Sequence, residues 1–282
     1  MAIERVTVLG AGTMGHGIAH AAIAAGYRTR LFDVSDAAVA KGCAAIEQIA
    51  KKGVEIGKMT AADAAAMLAR LSGTSSLADA LGDAGMIIEA APENIDLKLA
   101  LFAQIQALAP ADAIIASNTS ALSLTELAGS LKNPGRVAGM HFFNPVHKMK
   151  LVEVVQALET GAATLDAIAE VSRRMGKETV LVRESPGFIT TRVNASIGNE
   201  AFYMLMEGVA SARDIDKALK LGLNHPMGPF ELVDLVGLDT RLSILEYLHR
   251  SLGEKYRPCP LLAQYVKAGR LGRKVGKGVY EY

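Results

Sequence analysis

Short apolar runs alternate along the first two thirds of the chain with longer stretches whose apolar residues recur every three to four positions. Val6-Thr7-Val8-Leu9 is a β-rich run that ends at a glycine loop. Residues 14–25 follow as an Ala-rich helix, closed by Gly26. Thr29 to Phe32 reads as a second strand ending at Asp33, and Ser35 stands where the next helix needs a cap. Thr60 and Asp63 predict a capping box on a helix that reaches Leu71. Met86-Ile87-Ile88 is continuously apolar, as a parallel strand covered on both faces requires. Ile95 to Leu108 has helical periodicity and stops before Pro110, Ala113 to Ala116 is a further strand, and Ser123 with Glu126 predicts a second capping box. The alternation predicts an α/β fold, a Rossmann-type doubly wound, mostly parallel sheet.

The pattern changes near residue 184. Ser185-Pro186-Gly187 has Ser at an N-cap and Pro at a first helical position, which predicts a helix start. Phe188, Val193, Ile197, Phe202 and Leu205 then fall roughly along one face of a long helix. Asp214–Leu221, Phe230–Val236, Thr240–Leu252 and Leu261–Ala268 are further helical stretches, with no convincing strand before Val279. The expected organisation is residues 1–183 as a dinucleotide-binding domain and 184–282 as an all-α domain.

Composition narrows the function. Lys plus Arg is 30 and Asp plus Glu 29, for a net charge of +1, which argues against a nucleic-acid binder resting on phosphate contacts and against a polybasic membrane anchor. No apolar run reaches the ~18 residues of a membrane span. Met-Ala-Ile-Glu-Arg-Val, ahead of the glycine loop, is too short and too charged to read as a signal peptide. Two cysteines, Cys43 and Cys259, make no disulfide framework and fit a reducing, cytoplasmic compartment.

Gly10-Ala11-Gly12-Thr13-Met14-Gly15 matches G-x-G-x-x-G, and it lies between a predicted strand and a predicted helix, the context that gives the pattern meaning. The glycines permit a tight turn, a close approach by a pyrophosphate and close helix–strand packing, with the phosphates on the helix N-terminus. Asp33, ending the second strand, is placed to accept ribose hydroxyls and to repel a 2′-phosphate. No Arg follows it, which favours NAD over NADP.

Among six histidines, His16 and His20 share i, i+4 spacing but lack an intervening Glu, and a metal there would collide with the dinucleotide. His141 ends the run Val137-Ala138-Gly139-Met140, and a second apolar strand, Leu151-Val152-Glu153-Val154-Val155, follows. Paired as an antiparallel hairpin centred near His147, the two strands set His141 opposite Glu153. Glu153 is a lone charge in an apolar strand, costly unless paired. The pair suits general acid/base work: Glu153 would fix the imidazole tautomer and stabilise the imidazolium formed when the other nitrogen takes a hydroxyl proton. On spacing alone, a core histidine satisfied by a neighbouring Glu fits equally well.

These residues carry a resemblance. The chain resembles the short-chain L-3-hydroxyacyl-CoA dehydrogenases, of the 3-hydroxybutyryl-CoA dehydrogenase type, through Gly10–Ala19, Glu89–Glu93, Ser117–Ser120, His141–Glu153, Ser185–Ile189, Pro226–Thr240 and Gly272–Tyr280. His-Phe-Phe-Asn-Pro followed by Met-Lys-Leu-Val-Glu is its most specific stretch. The resemblance implies reversible NAD-dependent oxidation of a short-chain (S)-3-hydroxyacyl-CoA to the 3-ketoacyl-CoA, in β-oxidation or butanoate metabolism. It implies His141 as the acid/base, Glu153 as its partner, Ser120 on the substrate oxygen and near the nicotinamide, and Asn144 holding the His loop and touching the nicotinamide. Glu93 and Lys98 would line the cofactor cleft, Lys274 would reach the cofactor, and Lys51, Lys52 and Lys58 would meet the CoA phosphates unless they form a solvated face. The helical domain would make a homodimer. Pro226-Met227-Gly228-Pro229-Phe230-Glu231 suits an interface or a core equally.

One position departs from the family. Where it usually has an Asn before Arg in the active site, this chain has Thr191 before Arg192. Thr offers one hydroxyl in place of an amide, and Asn194 lies three residues on. Two other readings remain at this level: a dehydrogenase of a free 3-hydroxy acid such as a sugar acid, and a non-catalytic NAD-binding structural protein. Turnover of an acyl-CoA separates the first, and a His141–Glu153 bond facing an open cleft separates the second.

Overall fold

The computed structural model describes residues 3–282. Of the six residues read above as lacking a leader pattern, Met1 and Ala2 lie outside the described residues. The chain divides into two compact units, Met1–Glu184 and Ser185–Tyr282.

The first unit runs β1 (Arg5–Leu9), α1 (Thr13–Ala24), β2 (Arg28–Phe32), α2 (Asp36–Glu55), α3 (Ala61–Leu68), β3 (Leu71–Thr74), α4 (Leu77–Leu81), β4 (Met86–Glu89), α5 (Ile95–Leu108), β5 (Ile114–Ser117), α6 (Leu124–Gly129), β6 (Val137–Phe142), β7 (Leu151–Gln156), α7 (Ala162–Arg174) and β8 (Glu178–Arg183). Its sheet has eight strands in the order β3-β2-β1-β4-β5-β6-β7-β8. The first six are parallel. β7 reverses against β6, and β8 pairs parallel to β7. Met86, Ile87 and Ile88 are fully buried, as expected of a strand covered on both faces. Burial of each such side chain contributes about 1.5–3 kcal/mol. Strand order turns around at β1, with β2 on one side and β4 on the other, so a crevice opens beyond the carboxyl ends of these strands.

Local chemistry sets the helix starts. Ser35, Thr60, Ser76, Asn94, Ser123 and Ser211 each accept a backbone N–H two or three residues into their helices, worth about 1 kcal/mol apiece. The capping box at Thr60 is complete, but its helix stops at Leu68, and Leu71 begins β3 instead of ending the helix. The expected box at Ser123 is half made: Ser123 accepts from Glu126 N, while its hydroxyl donates to Glu184 at 2.8 Å. β3 and β8 are the two edge strands, and most of their residues are exposed. β3, Leu-Ser-Gly-Thr, lacks the apolar run that marks the inner strands, while β8 carries Val180-Leu181-Val182 with Leu181 63% exposed.

The second unit contains α8 (Thr190–Met206), α9 (Ala212–Gly222), α10 (Pro229–Val236), α11 (Leu238–Leu252) and α12 (Pro260–Lys267), with isolated bridges near the C-terminus and no strand among the described residues. Ser185-Pro186-Gly187 does not start α8. Gly187 and Phe188 take φ of +73° and +49°, a left-handed turn that no helix continues through, and the helix begins at Thr190. The buried face of α8 is also not the expected one. Ala195, Gly198, Asn199, Ala201 and Phe202 point inward, while Val193 is 53% exposed and Phe188 precedes the helix. Phe202 meets Phe230 edge-on at 5.2 Å and Tyr265 at 5.9 Å. Asp216 accepts from Phe230 N at 2.8 Å and Glu231 N at 3.1 Å, so a buried carboxylate seats the N-terminus of α10. Asp234 does the same for the tail, accepting from Val279 N and Tyr280 N. Phe230 thus belongs to the core, and Leu235 and Val236 face outward.

Candidate active site

The glycine loop joins β1 to α1. Gly10 has φ +102°, and a Cβ there would lie 2.6 Å from the Ala90 carbonyl oxygen. A Cβ on Gly15 would strike the Gly10 carbonyl. Gly12, by contrast, would meet nothing within 4 Å, so the loop presents open backbone at the start of the helix. Gly12 caps α1 without a side-chain bond, and the first turn, with Thr13 and Met14, carries no acid. Unpaired N–H groups and the helix dipole therefore offer an anion site, which fits the pyrophosphate of a dinucleotide. Asp33 lies against this loop, accepting from Ala11 N at 2.7 Å and from Val34 N at 2.8 Å. Its carboxylate is held at the carboxyl end of β2, where a ribose of that dinucleotide would need it.

His141 and Glu153 are register partners on β6 and β7, as the hairpin centred near His147 requires. His141 Nδ1 and Glu153 Oε2 are 2.7 Å apart, with the imidazole 5% exposed and the carboxylate fully buried. The ring packs on Phe143, 4.6 Å between centroids. The bond to the carboxylate fixes the orientation of the imidazole, and a positive charge on the ring would have Glu153 as its counter-charge.

A second ionic cluster sits behind the loop after β5. Glu89, fully buried at the end of β4, accepts from Lys98 Nζ at 2.6 Å, Ala91 N at 2.6 Å and Ser117 Oγ. Lys98 is 1% exposed and also lies 3.6 Å from Glu93 Oε2. Glu93 Oε1 accepts from Thr119 Oγ1 at 2.6 Å, Ser120 N at 2.8 Å and Ala121 N at 3.2 Å. Lys98 therefore does not line a cleft, as the sequence led one to expect. Its ammonium is enclosed because Glu89 needs a buried counter-ion, and it reaches the Ser120 loop through Glu93. Asn118 accepts from Phe142 N at 2.9 Å and ties this loop to the strand of His141. The capping role near here belongs to Ser123, which leaves Ser120 as a loop residue.

Asn144 and Lys148 lie in the β6–β7 loop and line a cavity of about 860 Å³ with the α1 face of Thr13 and His16 and with Lys52 and Lys58. Lys52 is exposed and sits 3.3 Å from Glu55. Lys51 is exposed and outside the cavity lining.

Residues 5–185 match the family description "3-hydroxyacyl-CoA dehydrogenase, NAD binding domain", and residues 187–282 match its C-terminal domain. A probable 3-hydroxybutyryl-CoA dehydrogenase of Bacillus subtilis is 45% identical over 283 residues, covering 100% of this chain and 98% of the relative. The chain belongs to the 3-hydroxyacyl-CoA dehydrogenase family. Another relative, the 3-hydroxybutyryl-CoA dehydrogenase of Clostridioides difficile, is 43% identical, with 99% of each covered. Among solved structures, the (S)-3-hydroxybutyryl-CoA dehydrogenase of Ralstonia eutropha superposes with a TM-score of 0.96 at 45% identity, covering 100% of this chain and 99% of that one.

As a 3-hydroxyacyl-CoA dehydrogenase the chain is an NAD-dependent oxidoreductase with a Rossmann-type domain followed by a helical one. No helix among the described residues is long and apolar enough to cross a membrane, and no group of metal-ligating side chains occurs there. In the second unit, Thr191 and Asn194 lie in the first turns of α8, both partly buried. Lys274 Nζ is 2.6 Å from both carboxylate oxygens of Asp239, so its charge is already matched within that unit. Glu89 and Asn118 had no role in the sequence reading. For Glu89 the signal was present, since a charge ending the apolar run Met86-Ile87-Ile88 is the same anomaly that marks Glu153.

Proposed function

We propose that this chain interconverts (S)-3-hydroxyacyl-CoA and 3-ketoacyl-CoA with NAD, with short-chain substrates such as 3-hydroxybutyryl-CoA. The observation that carries the proposal is the bond of His141 Nδ1 to the buried Glu153 carboxylate at 2.7 Å. It holds the imidazole with Nε2 as the proton acceptor for the substrate hydroxyl, and Glu153 stabilises the imidazolium that results. NAD, when bound, supplies the acceptor for the hydride that leaves the hydroxyl-bearing carbon. Gly10, Gly12, Thr13, Met14, Gly15 and Asp33 hold the dinucleotide. Ser120 donates to the substrate oxygen from a loop pinned by Glu93, which Lys98 neutralises from behind. Asn144 holds the histidine loop at the cofactor, and Lys274 serves the cofactor from the second unit.

The cavity walled by Lys52 and Lys58 takes the phosphates of CoA, with Lys51 adding long-range attraction. Thr191 positions substrate through one hydroxyl, a weaker hold than an amide provides. The exposed apolar residues Val193, Leu235 and Val236 support a homodimer through the helical unit. Cys43 and Cys259 are free thiols, which suits the cytoplasm.

Acetoacetyl-CoA-dependent oxidation of NADH tests the reading. Turnover with acetoacetyl-CoA, none with free acetoacetate and a strong preference over NADPH are expected. Turnover of the free acid alone would replace the CoA ester by a free hydroxy acid as substrate, and no turnover of either would leave a non-catalytic protein.

A further inference from the structure

Positive and potentially positive groups gather where α1, the end of α2 and the β6–β7 loop meet. His16 and His20 stand one turn apart on α1 and face the 860 Å³ cavity; Lys52 and Lys58 face it from the other wall, and His147 and Lys148 from the loop. His20 is 8% exposed, and neither of its ring nitrogens has a hydrogen-bond partner. Its ring stands edge-on to His147, 6.3 Å between centroids. The same two rings also border a smaller cavity of about 300 Å³, with Arg174 and Lys177 in its wall. Lys177 is buried, and its ammonium donates to the carbonyls of Val146 and Met149. No carboxylate lines either cavity among the described residues.

Around the imidazole pair stand basic side chains from each element packed on it: the His16 imidazole from α1, Lys148 from the loop of His147, Lys58 from the turn after α2, Arg174 from α7 and Lys177 from the turn before β8. Burial and these neighbours both disfavour a proton on the rings. Burial, then His147, Lys177 and His16, push His20 down to about 4, and partial desolvation, then Lys148, Lys177, His16 and Lys58, hold His147 below its ordinary range. His16 is committed differently, with Nδ1 on the Gly12 carbonyl at 2.8 Å. A buried, unbonded imidazole in an acid-free cleft responds to any anion that enters. Negative charge cancels the repulsion and gives the ring nitrogens an acceptor to bond.

We propose that acyl-CoA binding is coupled to proton uptake, His147 and His20 being neutral in the ligand-free protein and taking protons from solvent as the CoA phosphates enter this cleft. The proposal rests on the reading of the cleft as the CoA site. By linkage, the KM for acyl-CoA then rises with pH through neutrality, by up to about tenfold per pH unit for each proton coupled. The kcat, set at His141, does not follow that profile. The sign is diagnostic. A phosphate monoester entering a cationic site with no titrating imidazole would shed protons, because its second pKa of ~6 falls there.

Calorimetric titration of the full chain with CoA near pH 7, in buffers of different ionisation enthalpy, tests this. Net uptake of about half a proton or more per CoA is expected. The His20→Gln/His147→Gln variant should abolish it and weaken CoA binding several-fold, and the single, surface-exposed His147→Gln should reduce it if the double variant folds poorly. Proton release or no exchange by the unaltered protein, or undiminished uptake by the variants, would overturn the proposal. Lys58→Glu separates the two layers. A tenfold or greater loss of CoA affinity leaves the cleft reading standing even where the proton result fails. Unchanged affinity removes the cleft reading and this proposal with it.

Discussion

His141 and His20 are both closed off from water, at 5% and 8% exposed, and the fold treats them in opposite ways. His141 comes with a carboxylate, set opposite it by the β6–β7 register and bonded at 2.7 Å. His20 comes with the Lys177 ammonium and two further imidazoles, His147 and His16, and with no bond to either nitrogen. An imidazole out of water keeps whichever state its neighbours support. Beside Glu153 an imidazolium has a counter-charge within hydrogen-bond reach, which the proposed acid/base role requires. Beside Lys177 it finds repulsion, so the ring stays neutral until an anion arrives. Burial alone does not set what a histidine can do; the sign of the nearest charge matters as much.

Removing the paired imidazole should have the largest effect. His141→Ala is expected to lower kcat by ~10²–10⁴ in acetoacetyl-CoA reduction while the NADH affinity, read by fluorescence titration, stays near that of the unaltered protein. A loss under about tenfold would move the base elsewhere, with His147 the first candidate. Glu153→Gln keeps a hydrogen-bonding group but removes the counter-charge, and about a ten- to hundredfold loss in kcat is expected. Full activity in this variant would show that geometry matters at His141 and charge does not.

The unpaired imidazole should speak through stability. As pH falls, the unfolded chain binds a proton at His20 near 6.5, while the folded chain resists until about 4. The contribution of His20 is therefore intact above pH 6.5 and lost progressively between 6.5 and 4, by about 3 kcal/mol. Urea denaturation across that range should show a shallower decline in His20→Gln, and identical slopes would mean that His20 titrates normally. The smallest effect expected is a conversion of one environment toward the other. His147→Glu gives His20 an acidic neighbour and should raise its pKa by about one unit or more, read from its ring proton resonances. An unmoved resonance would mean that burial alone controls the ring.

The His141–Glu153 opposition was legible because it needs only strand parity. Side chains alternate along both strands, the apolar runs fix which residues pair, and Glu153 stands out as a charge in an apolar run. The glycine loop was legible because the pattern sits between two periodic segments that define its context. Edge strand β3 was not, because solvent on one side removes the apolar run that marks an inner strand; β8 does carry a short run, Val180-Leu181-Val182, and was obscured by the stronger change of pattern at residue 184. The turn at Ser185 carries helix-start residues, yet Gly187 and Phe188 take left-handed backbone that postpones α8 by several residues. The resemblance puts Lys98 in the cofactor cleft; the structure buries it because the turn from β4 into α5 folds its ammonium back onto Glu89.

Residues spaced within one element, or within neighbouring elements of one unit, were set by the sequence itself: the doubly wound sheet, the glycine loop with Asp33 against it, and the opposition of His141 to Glu153. Local spacing and alternation suffice there, since the partners are joined by short stretches of chain. Only the tertiary structure decided the surroundings of His20. It meets His147 and Lys177 because segments far apart in the chain pack together and exclude the water that would otherwise screen them. Protonation state follows from that enclosure, which no stretch of sequence contains by itself.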